Sequence, residues 1–449
     1  MIPQTDPKAA YLERKAEIDA AIARVLESGR YILGPEVEAF EAEFASFAGV
    51  RHAVAVASGT DALILALRAL GVGPGDAVVT VSHTAVATVA AVELVGATPV
   101  LVDVDACHGL DPEKLAATLA AWPTGAPKPK AIIPVHLYGQ PAAMKEIMAI
   151  AGRHGLAVLE DNSQAHGAVL DGTMVGRFGR IAAYSLYPTK NLGAIGDGGI
   201  VATDDPALTT ALKELREYGW RERYVSAIAG MNSRLDPVQA AILRVKLAHL
   251  PADTARRRVI ASAYDKGLAG IEGLHLPLTR PGAMPVYHQY VVEAPGRRDA
   301  LQAALREKGV GTLVHYPVPV HLQPAYRGRV PLGVGGLLAG VSPWFGAWLF
   351  VGILCGAQLL AGLALRRLGI RVPQDISVAG FDDADLSVYM NVPLTTVAQD
   401  TFEIGRRAAQ LLINQIENPG QMGQNQFVPT QLRVRESTAI TVQSTDIER

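Results

Sequence analysis

The stretch Tyr184-Ser-Leu-Tyr-Pro-Thr-Lys190-Asn-Leu-Gly-Ala-Ile-Gly-Asp-Gly-Gly199 carries the most chemically suggestive lysine of the chain. A short aromatic and apolar run ends at Pro188, delivers Lys190, and meets four glycines over the next nine residues, so the lysine sits on a turn. An amine packed among Tyr187, Leu192, Ile195 and glycine backbone is desolvated, which lowers its pKa and makes it a nucleophile near neutral pH. The same residues also fit a surface lysine in a glycine-rich loop, and only the rest of the chain distinguishes the two.

The elements that would position this lysine follow from the apolar spacing. Residues 8–28 and 36–47 repeat at helical period and stop at Gly29 and Gly49. A small-residue strand over 53–58 runs into Ser58-Gly-Thr60, and a helix over 61–70 follows. A strand, a glycine turn and a helix N-terminus make an anion site, because free N–H groups and the helix dipole converge there; a plain N-cap fits the same residues. From residue 76 onward strands (77–81, 99–104, 131–135, 156–159) alternate with helices (83–95, 112–121, 143–154). This alternation predicts an α/β fold, a mostly parallel sheet with helices on both faces. Ligands of such sheets lie beyond the carboxyl ends of the strands, and Ser58, His83, His136, Asp161 and Ser185 all fall there. Further on, Asp236 and Pro237 read as N-cap and first residue of an amphipathic helix, and strands are expected over 286–292 and 312–315. Each histidine of these segments, taken singly, fits a structural role better than a catalytic one.

Composition narrows the class. At 449 residues and 47.5 kDa the chain can hold two or three domains, and a net charge of -2 with pI near 6.6 gives no argument for binding nucleic acid or an anionic membrane. Cys107 and Cys355 lack partner spacing, so no disulfide framework or metal site is expected and a reducing cytoplasm fits. The N-terminus has no apolar run, so no secretion signal is expected. Residues 330–365 contain no charged side chain, which meets the length of a membrane span. Glycines, Pro343 and arginines on both sides (Arg327, Arg329, Arg366, Arg367) weigh against a span and favour a junction between two truncated domains.

Over residues 8–327 the chain resembles the DegT-type sugar aminotransferases, a branch of the fold-type I pyridoxal-phosphate (PLP) enzymes. The resemblance runs through Gly29-Arg-Tyr-Ile-Leu-Gly-Pro-Glu-Val-Glu-Ala-Phe-Glu41, Ala57-Ser-Gly-Thr-Asp-Ala-Leu63, Pro134-Val-His-Leu-Tyr-Gly-Gln-Pro141 and Glu160-Asp-Asn-Ser-Gln-Ala-His-Gly167. It continues through the Lys190 stretch, Asn232-Ser-Arg-Leu-Asp236 and His315-Tyr-Pro-Val-Pro-Val-His-Leu-Gln-Pro324. The resemblance implies that Lys190 forms the Schiff base with PLP and shuttles the proton of the 1,3-shift. It implies that Asp161 pairs with the pyridine nitrogen, and that Gly59, Thr60 and Ser185 hold the phosphate. Gln164 would contact the phenolic-oxygen side, and Asn232 the phosphate of a neighbouring subunit, which implies a homodimer. His315, Tyr316 and His321 match the region that contacts sugar. The implied reaction is ping-pong transamination from glutamate to a nucleotide-linked keto-sugar. Lysine at 190 argues against the family's dehydratases, which carry histidine there. The aromatic residue usual two positions after His83 is here Ala85, so His83 itself is the candidate to cover the cofactor ring.

The resemblance stops near Arg327. Leu368-Gly-Ile-Arg-Val-Pro-Gln-Asp-Ile-Ser-Val-Ala-Gly-Phe-Asp-Asp383, Pro393-Leu-Thr-Thr-Val397, Gly405-Arg-Arg-Ala-Ala-Gln-Leu-Leu412 and Val434-Arg-Glu-Ser-Thr-Ala439 are similar to the end of a LacI-type repressor effector domain, with Asp382 and Asp383 matching its effector cleft. The expected organisation is a PLP-binding large domain over 1–250, a partial small domain over 251–329, an apolar junction over 330–366, and a fragment of a periplasmic-binding-protein-like α/β domain over 367–449. A sugar-sensing regulator or binding module is the competing class. The cofactor constellation is whole and the DNA-reading element of a repressor is absent, which favours the enzyme, with the tail a fused passenger.

Overall fold

The computed structural model describes residues 2–3 and 5–333, together with the strands Trp348–Phe350, Ala379–Phe381, Thr395–Ala398 and Gln431–Arg433. Seven strands form the central sheet in the order His52–Val56, Gly199–Thr203, Ile181–Ser185, Ala157–Asp161, Lys128–Ile132, Asp76–Val81, Thr98–Val102. Gly199–Thr203 runs antiparallel to both neighbours and every other pairing is parallel, so six strands end at one edge. That edge holds Ser58, His83, His136, Asp161 and Ser185, as the alternation predicts.

Successive residues of a strand point to opposite faces, and both faces here are covered by helices, which is why the strands read as continuous apolar runs. Val79 and Val81 pack with Leu115, Leu119, Ile147 and Ile150 of the helices Pro112–Ala120 and Met144–His154. Val78 packs on the other side with Leu63, Leu67, Ala91 and Val92 of Gly59–Ala69 and Val86–Leu94. A third cluster joins Phe40 and Phe44 of Pro35–Ala48 to Leu243 and Leu250 of the long helix Pro237–Leu268.

Several local expectations are corrected. The helix expected over 83–95 begins only at Val86, because His83 and Thr84 leave the sheet in a bend and Ala85, at φ -59° and ψ 139°, is extended. The first helix is broken into Pro7–Glu13 and Lys15–Ser28 at Arg14. Residues 286–290 are irregular between the short strands Ala283–Met284 and Val291–Glu293, and no regular strand forms over 312–315. β-branched and aromatic content raised the strand reading there, but the 286–290 segment bonds the Tyr138-Gly139 turn, Val286 N–H to the Gly139 carbonyl and Gln289 N–H to the Tyr138 carbonyl, in place of a neighbouring strand. Pro237 does open its helix, while the Asp236 side chain makes no capping bond. The expected limit at 250 and 251 falls inside that helix, where Pro251 stands.

The chain divides into two units, 1–353 and 354–449. In the first, Trp348–Phe350 pairs antiparallel with Val291–Glu293. In the second, Thr395–Ala398 pairs parallel with Ala379–Phe381 and antiparallel with Gln431–Arg433. The rest of the apolar junction beyond residue 333, and Asp382 and Asp383, lie outside the described residues. Among the described residues no helix is long and apolar enough to cross a membrane.

Candidate active site

Lys190 lies in the turn after Ile181–Ser185, its N–H donating to the Tyr187 carbonyl at 2.8 Å. Burial of its amine pushes the pKa down to about 8, against the opposing pull of the Asp161 carboxylate. The desolvation has a different source from the expected one. Leu192 is buried, but Tyr187 and Ile195 are half exposed and point outward. Three histidines couple electrostatically to the amine. Burial, with the nearby Lys190 charge second, lowers His166 to about 3 and His315 to about 4, and holds His288 well below its ordinary value. Uncharged imidazoles beside an amine of low pKa keep the pocket free of competing cations.

Asp161 closes its strand and is buried. Its Oδ2 accepts from Thr88 Oγ1 at 2.9 Å and its Oδ1 from the Ser163 N–H at 3.1 Å. On the other side of the sheet edge, Ser58 caps the helix Gly59–Ala69 by accepting from the Asp61 N–H at 3.1 Å. The N–H groups of Gly59 and Thr60 open this helix and have no carbonyl one turn back to bond. Gly59 packs on Ser185 so closely that a Cβ added there would come within 2.5 Å of the Ser185 Cβ. Only glycine lets the helix N-terminus and the Ser185 hydroxyl share one anion site.

A second layer joins this floor to the segment around His315. Tyr138, at φ 61°, donates its N–H to Gln164 Oε1 at 2.7 Å, and Gln164 Nε2 donates to Tyr316 OH at 3.1 Å. The Tyr138 hydroxyl donates to the His315 carbonyl at 2.6 Å and lies 2.8 Å from His83 Nε2. A carbonyl only accepts, so the phenol has given its proton away and His83 must donate to it from Nε2. Burial first, and the His315 imidazole second, push His83 down to about 3, which keeps that ring neutral. His321 is buried with its Nδ1 2.6 Å from Ser82 Oγ, so it ties its own segment to the sheet edge beside His83. Asn232 is exposed and bridges only to Glu217 by backbone.

The sequence reading gave no role to Tyr138, Thr88, Glu160, His166 or His288. Tyr138 carried one signal, an aromatic residue before Gly139 in a proline-flanked run. A Cβ at Gly139 would lie 2.8 Å from the His288 nitrogen, so this turn and the 286–290 segment meet only because glycine stands there.

Taken together the donor set suits PLP: an amine for its aldehyde, helix N–H groups and a hydroxyl for its phosphate, and a buried carboxylate for its ring nitrogen. The sequence matches the DegT/DnrJ/EryC1/StrS aminotransferase family over residues 13–335. The chain belongs to this family. Its cofactor is PLP, and it is an aminotransferase. It is 52% identical over 331 residues, 74% of this chain and 86% of the relative, to dTDP-3-amino-3,4,6-trideoxy-alpha-D-glucose transaminase of Streptomyces venezuelae. It is 42% identical over 337 residues, 74% of this chain and 92% of the relative, to UDP-2-acetamido-2-deoxy-3-oxo-D-glucuronate aminotransferase of Pseudomonas aeruginosa. Among solved structures it resembles S. venezuelae DesV in complex with a ketimine intermediate, with TM-score 0.74 and 49% identity over 83% of this chain and 99% of that one. A periplasmic binding protein-like domain also matches, over residues 293–438, overlapping the aminotransferase match at its end.

Proposed function

We propose that this aminotransferase moves an amino group from glutamate to the keto carbon of a nucleotide-linked sugar in a ping-pong cycle. The observation that carries the reading is the Lys190 amine, held near pKa 8 within the field of the Asp161 carboxylate at the strand-end edge. PLP, when bound, supplies the electron sink for the carbanion. Lys190 Nζ would hold the cofactor aldehyde and, once displaced by the donor's amino group, would as a free amine move the proton of the 1,3-shift. Asp161 holds the ring nitrogen protonated. Gly59, Thr60 and Ser185 bind the phosphate, Gln164 lies on the phenolic-oxygen side, and neutral His83 covers the ring where Ala85 cannot. His315 and Tyr316 face the sugar, and His321 holds their segment in place. Asn232, exposed on its own subunit, reaches the phosphate bound by a partner, so the working unit is a cytoplasmic homodimer.

Both named relatives carry the amino or keto group at sugar carbon 3, and we extend that position to this chain. The test is to incubate the PLP-loaded protein with glutamate and dTDP- or UDP-linked 3-keto sugars. An amino-sugar should form with one 2-oxoglutarate per turnover and parallel double-reciprocal plots. No 2-oxoglutarate from any of these acceptors would sink the substrate assignment.

The domain limits of the sequence reading are part of this proposal, although its boundary at 250 and 251 lies within the helix Pro237–Leu268; the tail from 367 is taken as a fused fragment of a binding-protein-like domain. The match over 293–438 supports that reading and also motivates the alternative, a sugar-sensing module. Free sugar bound by the full chain, and lost when Asp382 and Asp383 are changed, would favour the sensor.

A further inference from the structure

A directed chain of hydroxyls ends on Asp161. Thr88 Oγ1 lies 2.9 Å from Asp161 Oδ2 and 2.9 Å from Thr84 Oγ1. A carboxylate only accepts, so Thr88 spends its one proton on Asp161, and Thr84 must therefore be the donor to Thr88. Relative exposures of 2, 1 and 4% for Thr84, Thr88 and Asp161 shield the chain from bulk solvent. Thr88 sits in the first turn of Val86–Leu94, and Thr84 in the bend before it.

Hydrogen bonds donated to a carboxylate stabilise its charged form, and successive bonds in a low-dielectric interior reinforce one another. The Ser163 N–H occupies the other oxygen, so each oxygen has one donor fixing its direction and a lone pair to spare. We propose that Thr88, backed by Thr84, is a positioning residue that aims Asp161 and keeps the proton shared with the PLP ring nitrogen on that nitrogen. The inference rests on the reading of Asp161 given above. It concerns Thr88 and Thr84, neither of which touches the reacting carbon in that reading.

The test uses full-length protein reconstituted with PLP labelled with nitrogen-15 in the ring, whose chemical shift reports protonation directly. Wild type and Thr88→Ser, which keeps the hydroxyl, should both show a protonated ring nitrogen. Thr88→Val, equal in shape but without the hydroxyl, should move the resonance toward the unprotonated position. It should also lower kcat about tenfold, the worth of one hydrogen bond to a charged group, with KM for glutamate within about twofold. Thr84→Val should move the resonance the same way by less, and decides the matter if Thr88→Val fails to fold. An unmoved resonance in the valine variants, while Asp161→Asn moves it, would overturn the inference and leave the Asp161 reading intact. An unmoved resonance in Asp161→Asn would remove that reading, and the inference with it.

Discussion

His136 and Glu160 form a fully buried pair, Nε2 to Oε2 at 3.1 Å, at the residue preceding Asp161. His136 Nδ1 accepts from the Ala142 N–H at 2.9 Å, so the ring proton resides on Nε2 and points at the carboxylate. Glu160 also accepts from the N–H groups of Gly176, Phe178 and Gly179 at 2.8, 2.8 and 2.6 Å. The His136 N–H in turn donates to the Asp161 carbonyl at 3.1 Å. One strand end thus uses two adjacent acids oppositely. Glu160 is saturated by donors and fixes the backbone, while Asp161 keeps lone pairs for a ligand.

Glu160→Gln replaces one acceptor oxygen with an NH2 that faces N–H donors. Stability should fall by about 3 kcal/mol, because buried donors lose their partner. Urea denaturation of the variant reads this directly. A loss below about 1 kcal/mol would show that the turn over 176–179 can supply other partners.

The folded pKa of Lys190 lies near 8, below its ordinary 10.5. Between these values the unfolded chain holds a proton that the native chain lacks. The contribution of Lys190 to cofactor-free stability is therefore present above about 10.5 and lost as pH falls through about 8. The rate of PLP capture by cofactor-free protein should rise roughly tenfold per pH unit up to about 8 and then level, since only the neutral amine attacks. Borohydride should fix the cofactor on Lys190, and Lys190→Ala should abolish transamination. Cofactor fixed on another lysine would overturn the assignment.

Tyr138→Phe removes the one hydroxyl that joins His83 to the His315 carbonyl. KM for the keto-sugar should rise about tenfold while cofactor affinity changes less than about threefold, as the bond to the His315 carbonyl at the substrate side is lost together with that from His83. Equal losses in both constants would place Tyr138 under the cofactor instead.

Removing residues 367–449 should leave the cofactor absorbance band and the proposed dimer unchanged, because every cofactor residue proposed lies at or before Asn232. The uncharged 330–365 segment would then form the new C-terminus and solubility should fall. Loss of the cofactor band on truncation would show that the tail takes part in the site.

The sequence by itself determined the parallel α/β framework, since short continuous apolar runs and longer runs of helical period are both local signals. It also determined the strand-end placement of Ser58, His83, His136, Asp161 and Ser185, because such sheets present one edge to ligands. Tertiary structure alone decided which side chains desolvate Lys190. Tyr187 and Ile195, its neighbours in sequence, turn outward, and the histidines at 166, 288 and 315 fall within range of its charge. It also decided that Thr88, with Thr84 behind it, would meet the Asp161 carboxylate 73 positions away. Tyr138 became a hub only when Gly139 allowed the 286–290 segment to approach. Contacts between elements distant in the chain leave no local periodicity, and irregular backbone overrides propensity where a turn of the site supplies the missing partners.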